Sequence, residues 1–208
     1  KVKFIEEAAF RGCPVSIQVA ESNQSYSSSE GVLYNKEKTS LLHFTKKYPN
    51  KNFIIPETVT RIEYASFYYS DLESVSITSS VKYIGPEAFS MNYYLSSIIC
   101  FSSFPIDLSE SWDVFKWVYT SSCKLFVPFG TSFRYRSAIT WKDFVNIIEM
   151  PGFFIPITDT IIGGQDGSLS FELSANVSWT IKSNESWLKL NTSGGNGSQK
   201  IVLTVDKN

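Results

Sequence analysis

Apolar positions along the chain recur as a phrase rather than at a simple period. Val59, Ile62 and Phe67, spaced Val-x-x-Ile-x-x-x-x-Phe, return 22 positions later as Val81, Ile84 and Phe89, and the same spacing occurs 57 positions earlier at Val2, Ile5 and Phe10. Each phrase leads into a strand-like alternation: Val15-x-Ile17-x-Val19, Val75-x-Ile77 and Ile98-x-Cys100. Alternate residues of a strand share a face, so Val75, Ile77, Ile98 and Cys100 are expected to point inward, with Cys100 in the slot that Ile77 fills one copy earlier. A unit this short cannot bury its own apolar face, but stacked copies share one continuous core. The pattern therefore predicts a solenoid in which Phe10, Phe67 and Phe89 are buried in phase.

Between the first two copies, Gly31 to Tyr34 and Ser40 to Phe44 flank the polar turn Asn35-Lys36-Glu37-Lys38, which predicts a β-hairpin within residues 25–58, followed by a strand at Phe53-Ile54-Ile55. The period fades after residue 100. Leu125-Phe126-Val127, a short amphipathic helix near Ser132 to Trp141 and a segment from Phe144 to Glu149 are expected to close the array as a cap over residues 123–149, because terminal repeats must cover the exposed core. Composition shifts at Glu149-Met150-Pro151-Gly152. Downstream, short strands are expected at Phe153 to Ile157, Ser168 to Leu173, Ser178 to Lys182, Trp187 to Leu190 and Lys200 to Val205. Turns are expected at Gly163 to Gly167 and Ser193 to Gly197. These elements predict a second, sandwich-like domain over residues 150–208, with Trp179 and Trp187 in its core.

The phrases VKFIEEAAFRGC, VTRIEYASF and VKYIGPEAF resemble the BspA-like leucine-rich repeats of bacterial surface proteins. The insert EGVLYNKEKTSLLHF, closing on FIIPETVTRI, is similar to a hairpin these proteins often carry, and KLFVPFGTSFRYRSAITWKDFVNIIE is similar to the tail that ends such arrays. Ser66 stands where the family usually has alanine. The run LSANVSWTIKSNESWLKLNTSGGNGSQKIVLTVDKN resembles a BACON domain, an immunoglobulin-like module common in Bacteroidetes. Together the resemblances imply a mainly β chain with short helices: a leucine-rich-repeat solenoid over residues 1–149 followed by a partial immunoglobulin-like β-sandwich. They imply adhesion to proteins or glycans on host or bacterial surfaces, with glycan capture by an accessory module as the alternative.

Charge is balanced, 19 basic against 20 acidic residues without blocks of either sign, which argues against nucleic acid as a partner and gives no polybasic reason to sit on an anionic membrane. No apolar run approaches the ~18 residues of a membrane span. The chain opens at Lys1 without a leader-like stretch, so either it is cytosolic or an export signal has been removed; the resemblance to surface proteins implies the second, with export to the extracellular or outer-membrane surface. Cys13, Cys100 and Cys123 form no paired motif, which points to buried hydrophobes rather than a disulfide frame or metal site.

No catalytic constellation or cofactor motif emerges. His43, the only histidine, falls on a predicted strand with no nucleophile marked by motif, and Glu6, Glu7, Glu63 and Glu87 fall on turns where solvated charge is expected. The chain is therefore read as non-enzymatic, with no cofactor and no metal. Aromatic residues make up 15% of it, eleven of them tyrosines. Tyr68, Tyr69, Tyr93 and Tyr94 follow the repeat phenylalanine at positions where the repeat does not need a large ring, and Trp112 and Trp117 lie in the irregular stretch beyond. Tyrosine and tryptophan concentrate at binding hot spots, so these six are the candidate ligand-binding residues.

Overall fold

The computed structural model describes residues 2–154 and 167–205, divided into one unit through Ile148 and a second from Glu149. In the first, strands β1 (Tyr26–Ser29), β2 (Val32–Asn35) and β3 (Ser40–His43) form the predicted hairpin with one added strand. Then follow β4 (Asn52–Ile54), β5 (Arg61–Ile62), β6 (Ser74–Ile77), β7 (Tyr83–Ile84), β8 (Ser97–Cys100) and β9 (Lys124–Val127). Helix α1 (Ser132–Ser137), a 3-10 turn (Trp141–Asp143) and β10 (Asn146–Glu149) end the unit. Two sheets line the solenoid, ordered β1-β2-β3-β5-β7 and β10-β9-β8-β6-β4. Strand β3 belongs to the hairpin by its antiparallel edge and to the repeats by its parallel pairing with β5, Leu41 opposite Ile62.

Corners between the sheets are fixed by backbone geometry. Ala65 and Tyr69 have φ of 51° and 55°, Glu87 and Met91 53° and 64°, and Asp113 and Trp117 56° and 64°. Left-handed backbone is uncommon outside glycine, and its recurrence four residues apart marks each coil. Phe67 N donates to Ala88 O and Phe89 N to Val114 O, both across one coil. Gly85 sits where its backbone meets the preceding coil, since a Cβ there would lie 2.8 Å from Tyr64 N.

Ring stacking organises the core. Phe44, Phe67, Phe89 and Phe115 form a column with centroid separations of 4.9, 4.9 and 5.7 Å and interplanar angles of 26°, 18° and 12°. Phe53 closes one end at 64° and Phe144 the other at 85°. Val59, Ile62, Val81 and Ile84 are buried beside it, as expected, and Cys100 is buried opposite Ile77. Asn92 is buried with its polar atoms matched: Nδ2 donates to Phe67 O and Phe89 O, and Oδ1 accepts from Ser70 Oγ.

Three expectations need correction. The first copy is not a packed layer: Val2 is exposed, Phe10 lies against the His43 ring at 5.4 Å, and Val15 to Val19 forms no strand. The hairpin is the reason, because Phe44 N donates to Ser66 O and so delivers Phe44 to the column in place of Phe10. The predicted helix breaks at Ser137, where extended Ala138 and Thr140 at φ 68° turn the chain into the 3-10 segment. The period does not fade after residue 100. Leu108, Ser111 and Phe115 continue it in buried positions, with Ser111 Oγ donating to Ile84 O.

The second unit comprises β11 (Phe153–Phe154), β12 (Gly167–Ala175), β13 (Ser178–Thr180), β14 (Leu188–Leu190), β15 (Gly194–Asn196) and β16 (Gln199–Val205). One sheet runs β11-β12-β16-β14, and β13 pairs with β15. Leu173, Ala175, Trp179 and Ile201 are its buried core. The stretch expected to turn from Ser193 to Gly197 is largely strand β15, because Trp179 opposes Gly195 and its ring lies where a Cβ would come within 2.8 Å. Trp187, expected in the core, is 44% exposed. Residues 155–157 of the first predicted strand, the 163–166 turn and the closing residues 206–208 lie outside the described residues.

The column and its neighbours make opposite predictions. Phe67→Ala removes a fully buried ring and should lower unfolding free energy by about 3–5 kcal/mol. Ser66, next to it, is buried with Oγ unpartnered. Ser66→Ala should therefore stabilise by about 1 kcal/mol. Urea unfolding of both variants checks the pair, and a destabilised Ser66→Ala would show that the hydroxyl has a partner.

Candidate functional site

The six aromatic residues singled out by sequence divide into two groups and two isolated rings. Tyr69 and Tyr93 stand edge-on at 6.4 Å, and Tyr93 meets Tyr119 at 6.3 Å, forming one file across successive coils. Tyr69 is 44% exposed at the second left-handed position of its coil, whereas Tyr93 is half-buried with its hydroxyl donating to Met91 Sδ. Lys46 Nζ sits 3.2 Å from the Tyr69 ring centre and 3.6 Å from the Asp71 carboxylate. Tyr119, 60% exposed, joins this file although sequence reasoning passed over it. Its signal was weak because the coil that carries it was not legible as a repeat.

Tyr68 and Trp112 belong to the second group. The Arg11 guanidinium lies 4.0 Å over the half-buried Tyr68 ring and donates to Glu87, which also accepts from the Tyr64 hydroxyl. Tyr64 in turn packs against Trp112 at 5.9 Å. Charge-assisted bonding to Glu87 raises the Arg11 pKa. Tyr94 and Trp117 are exposed by 66% and 60% and make no ring contact with either group among the described residues. A cavity of about 250 Å³ lies beside this second group, lined by Ile5, Phe10, Leu42, His43 and Tyr64 among others, and contains none of the six.

A further row of residues lies on the other sheet, one that residue pattern alone does not reveal. Parallel register aligns Ile54, Ser76, Ile99 and Phe126 side by side across β4, β6, β8 and β9, with Ile54 exposed, Ile99 and Phe126 half-buried and Ser76 buried. Among the described residues no group of three or more His, Cys, Asp or Glu side chains is placed to hold a metal, and no helix is long and apolar enough to cross a membrane.

Two family models match separate parts of the chain. Residues 42–110 match the BspA type leucine rich repeat region, and residues 156–208 match the viral BACON domain. Residues 42–110 of the solenoid are thus similar to a BspA-type leucine-rich repeat region. A leucine-rich repeat protein from Eubacterium ventriosum is similar over 59% of this chain and 38% of its own, at 18% identity and a TM-score of 0.43. A leucine rich cell surface protein from Faecalibacterium prausnitzii is similar over 70% and 45%, at 23% identity and the same TM-score. The pneumococcal vaccine antigen PcpA is similar over 65% and 50%, at 13% identity and a TM-score of 0.28. This chain thus spans half or less of each of those proteins. The search of curated proteins gives no match.

Within the solenoid, burial shifts the titratable groups of the interior. The Cys100 thiol is pushed well above its usual range and Cys123 up to about 12. His43 is lowered by burial, partly offset by its contact with Val15 O at 3.4 Å. Native labelling with a thiol reagent at pH 8 should therefore modify Cys13, which is partly exposed, and spare Cys100 and Cys123 until the chain is unfolded. Mass spectrometry of the labelled peptides decides this.

The histidine gives a second test. Its folded pKa lies below the unfolded value of about 6.5. Burial of neutral His43 therefore stabilises fully above that value, and the contribution is lost as pH falls through the folded pKa. Between pH 7.5 and 5 the N-terminal segment that contacts His43 should lose amide-exchange protection, and His43→Phe should flatten the change. A segment equally protected at both values would remove this role.

Proposed function

We propose that the chain is part of an exported bacterial cell-surface protein that recognises other surface macromolecules without catalysis. One observation carries the reading: Tyr69, Tyr94, Trp112, Trp117 and Tyr119 are exposed on coil corners where the fold needs only the column phenylalanines. Rings that the core does not require, set on a rigid scaffold, are the side chains that most often anchor protein interfaces. The BspA-type match supports surface placement, since such repeats are those of bacterial surface proteins. Host or bacterial surface proteins are the proposed partners, engaged through the file Tyr69, Tyr93 and Tyr119 and the neighbouring Tyr68, Tyr94, Trp112 and Trp117.

Glycan capture is a second reading, favoured by Trp187, whose exposed ring in the second unit offers a flat face for a sugar. The intact chain should bind at least one member of a panel of extracellular-matrix and bacterial surface proteins. The Tyr69→Ala/Tyr94→Ala and Trp112→Ala/Trp117→Ala variants should each weaken that binding about tenfold or more. Glycan-array binding that is lost with Trp187→Ala, alongside no protein capture, would replace the first reading with the second.

A further inference from the structure

Three arginines of the solenoid lie over aromatic rings, and two of them show what such an arrangement holds. Arg61 sits 3.9 Å over Tyr83 while its Nε and Nη2 reach the two carboxylate oxygens of Glu63 at 2.9 and 3.4 Å. Arg11 sits 4.0 Å over Tyr68 with Nε on Glu87. In both, the ring takes a face of the planar guanidinium and a glutamate takes its edge.

Arg134 repeats the arrangement without the glutamate. Its guanidinium lies 3.9 Å from the Phe104 ring centre and 5.3 Å from that of Phe133, two rings that are 66% and 63% exposed. Its one hydrogen bond, Nη1 to Ser103 O, is long at 3.4 Å, and it makes no ion pair among the described residues. The loop beneath is pinned: the buried Tyr135 donates its hydroxyl to Ser102 O and the buried Trp141 donates Nε1 to Ile106 O, each at 2.8 Å. The loop that carries Phe104 is thus tied to the segment that carries Arg134. Three residues before Phe104, exposed Phe101 follows β8 one step beyond Cys100, where strand alternation brings it to the outward side with Ile99 and Phe126.

We propose that Arg134 is the anchor for a carboxylate of a partner protein, an Asp or Glu side chain flanked by apolar residues that settle on Phe101, Phe133 and the outward row. This deepens the recognition reading above and rests on it. A guanidinium with one face on a ring keeps a row of coplanar N–H donors at its edge, which matches a carboxylate with two parallel bonds. Lysine carries the charge but not the fork.

The test uses the full chain and two peptides, N-acetyl-Leu-Leu-Glu-Leu-Leu-amide and its glutamine counterpart, titrated by NMR with the Phe101, Phe104 and Phe133 side chains observed. The glutamate peptide should bind about tenfold more tightly than the glutamine peptide, as expected for a charge-assisted pair. Arg134→Gln should abolish that preference at unchanged Tm, and Arg61→Gln should leave it intact. Equal binding of the two peptides, or a preference that survives Arg134→Gln, overturns the assignment. Capture of panel proteins unaffected by Arg134→Gln sinks the clamp alone, whereas no protein capture by the unaltered chain sinks the recognition reading.

Discussion

The column of phenyl rings sets the terms for everything else in the solenoid. Its first two separations of 4.9 Å equal the spacing of neighbouring strands, about 4.7–4.9 Å, so ring stacking and sheet pairing advance by the same step. Each coil must therefore return its phenylalanine to one line. The chain manages this with two left-handed residues four apart at the corner preceding the second sheet. Where the coil lengthens, from 22 residues between Ala65 and Glu87 to 26 between Glu87 and Asp113, the rings part to 5.7 Å but stay near parallel at 12°. Loop length is absorbed at the surface while the column is kept.

This constraint also explains which substitutions the fold accepts. Phe44 reaches the column from a hairpin strand three residues after Leu41, although the repeats place phenylalanine five residues after isoleucine. Identity of the delivered ring matters more than the path to it. Ser111 replaces an isoleucine without loss of a neighbour because its hydroxyl meets the Ile84 carbonyl that would otherwise lack a partner on that side. Ser66 replaces an alanine without such compensation.

Much of the fold was legible because burial is written in residue type. Val59, Ile62, Phe67 and their copies are interior by chemistry and spacing alone, and the hairpin and the second domain's main strands followed from local pattern. What escaped depends on contacts between distant positions. Phe10 and Phe44 have equal claim as sequence letters, and only the hydrogen bond from Phe44 to Ser66 decides between them. The coil at Leu108 was hidden by a serine in an apolar slot and a phrase one residue short. Glycines 194 and 195 read as a turn because the tryptophan that covers them lies fifteen or so residues earlier. For the surface, surplus rings could be named from sequence, yet their grouping could not. Tyr68 and Trp112 meet only through Arg11, Glu87 and Tyr64, and Phe104 meets Arg134 across thirty residues of chain.

The same cation–aromatic pairing appears inside and outside the structural framework, and the difference lies in what completes it. Arg11 ties the N-terminal turn, which has no place in the ring column, to the coil carrying Glu87, so here the pair does the work that packing does elsewhere. Arg61 spans adjacent coils through Tyr83 and is satisfied by Glu63 on its own strand's exit. Once its edge is filled, an arginine over a ring is a staple between coils, and its exposed position gives it modest energetic weight. Arg134 has the ring contact without the carboxylate, so its edge has no such internal use. A group already resting on a ring loses less entropy on binding, so the pairing that makes Arg11 and Arg61 structural makes Arg134 suited to a partner.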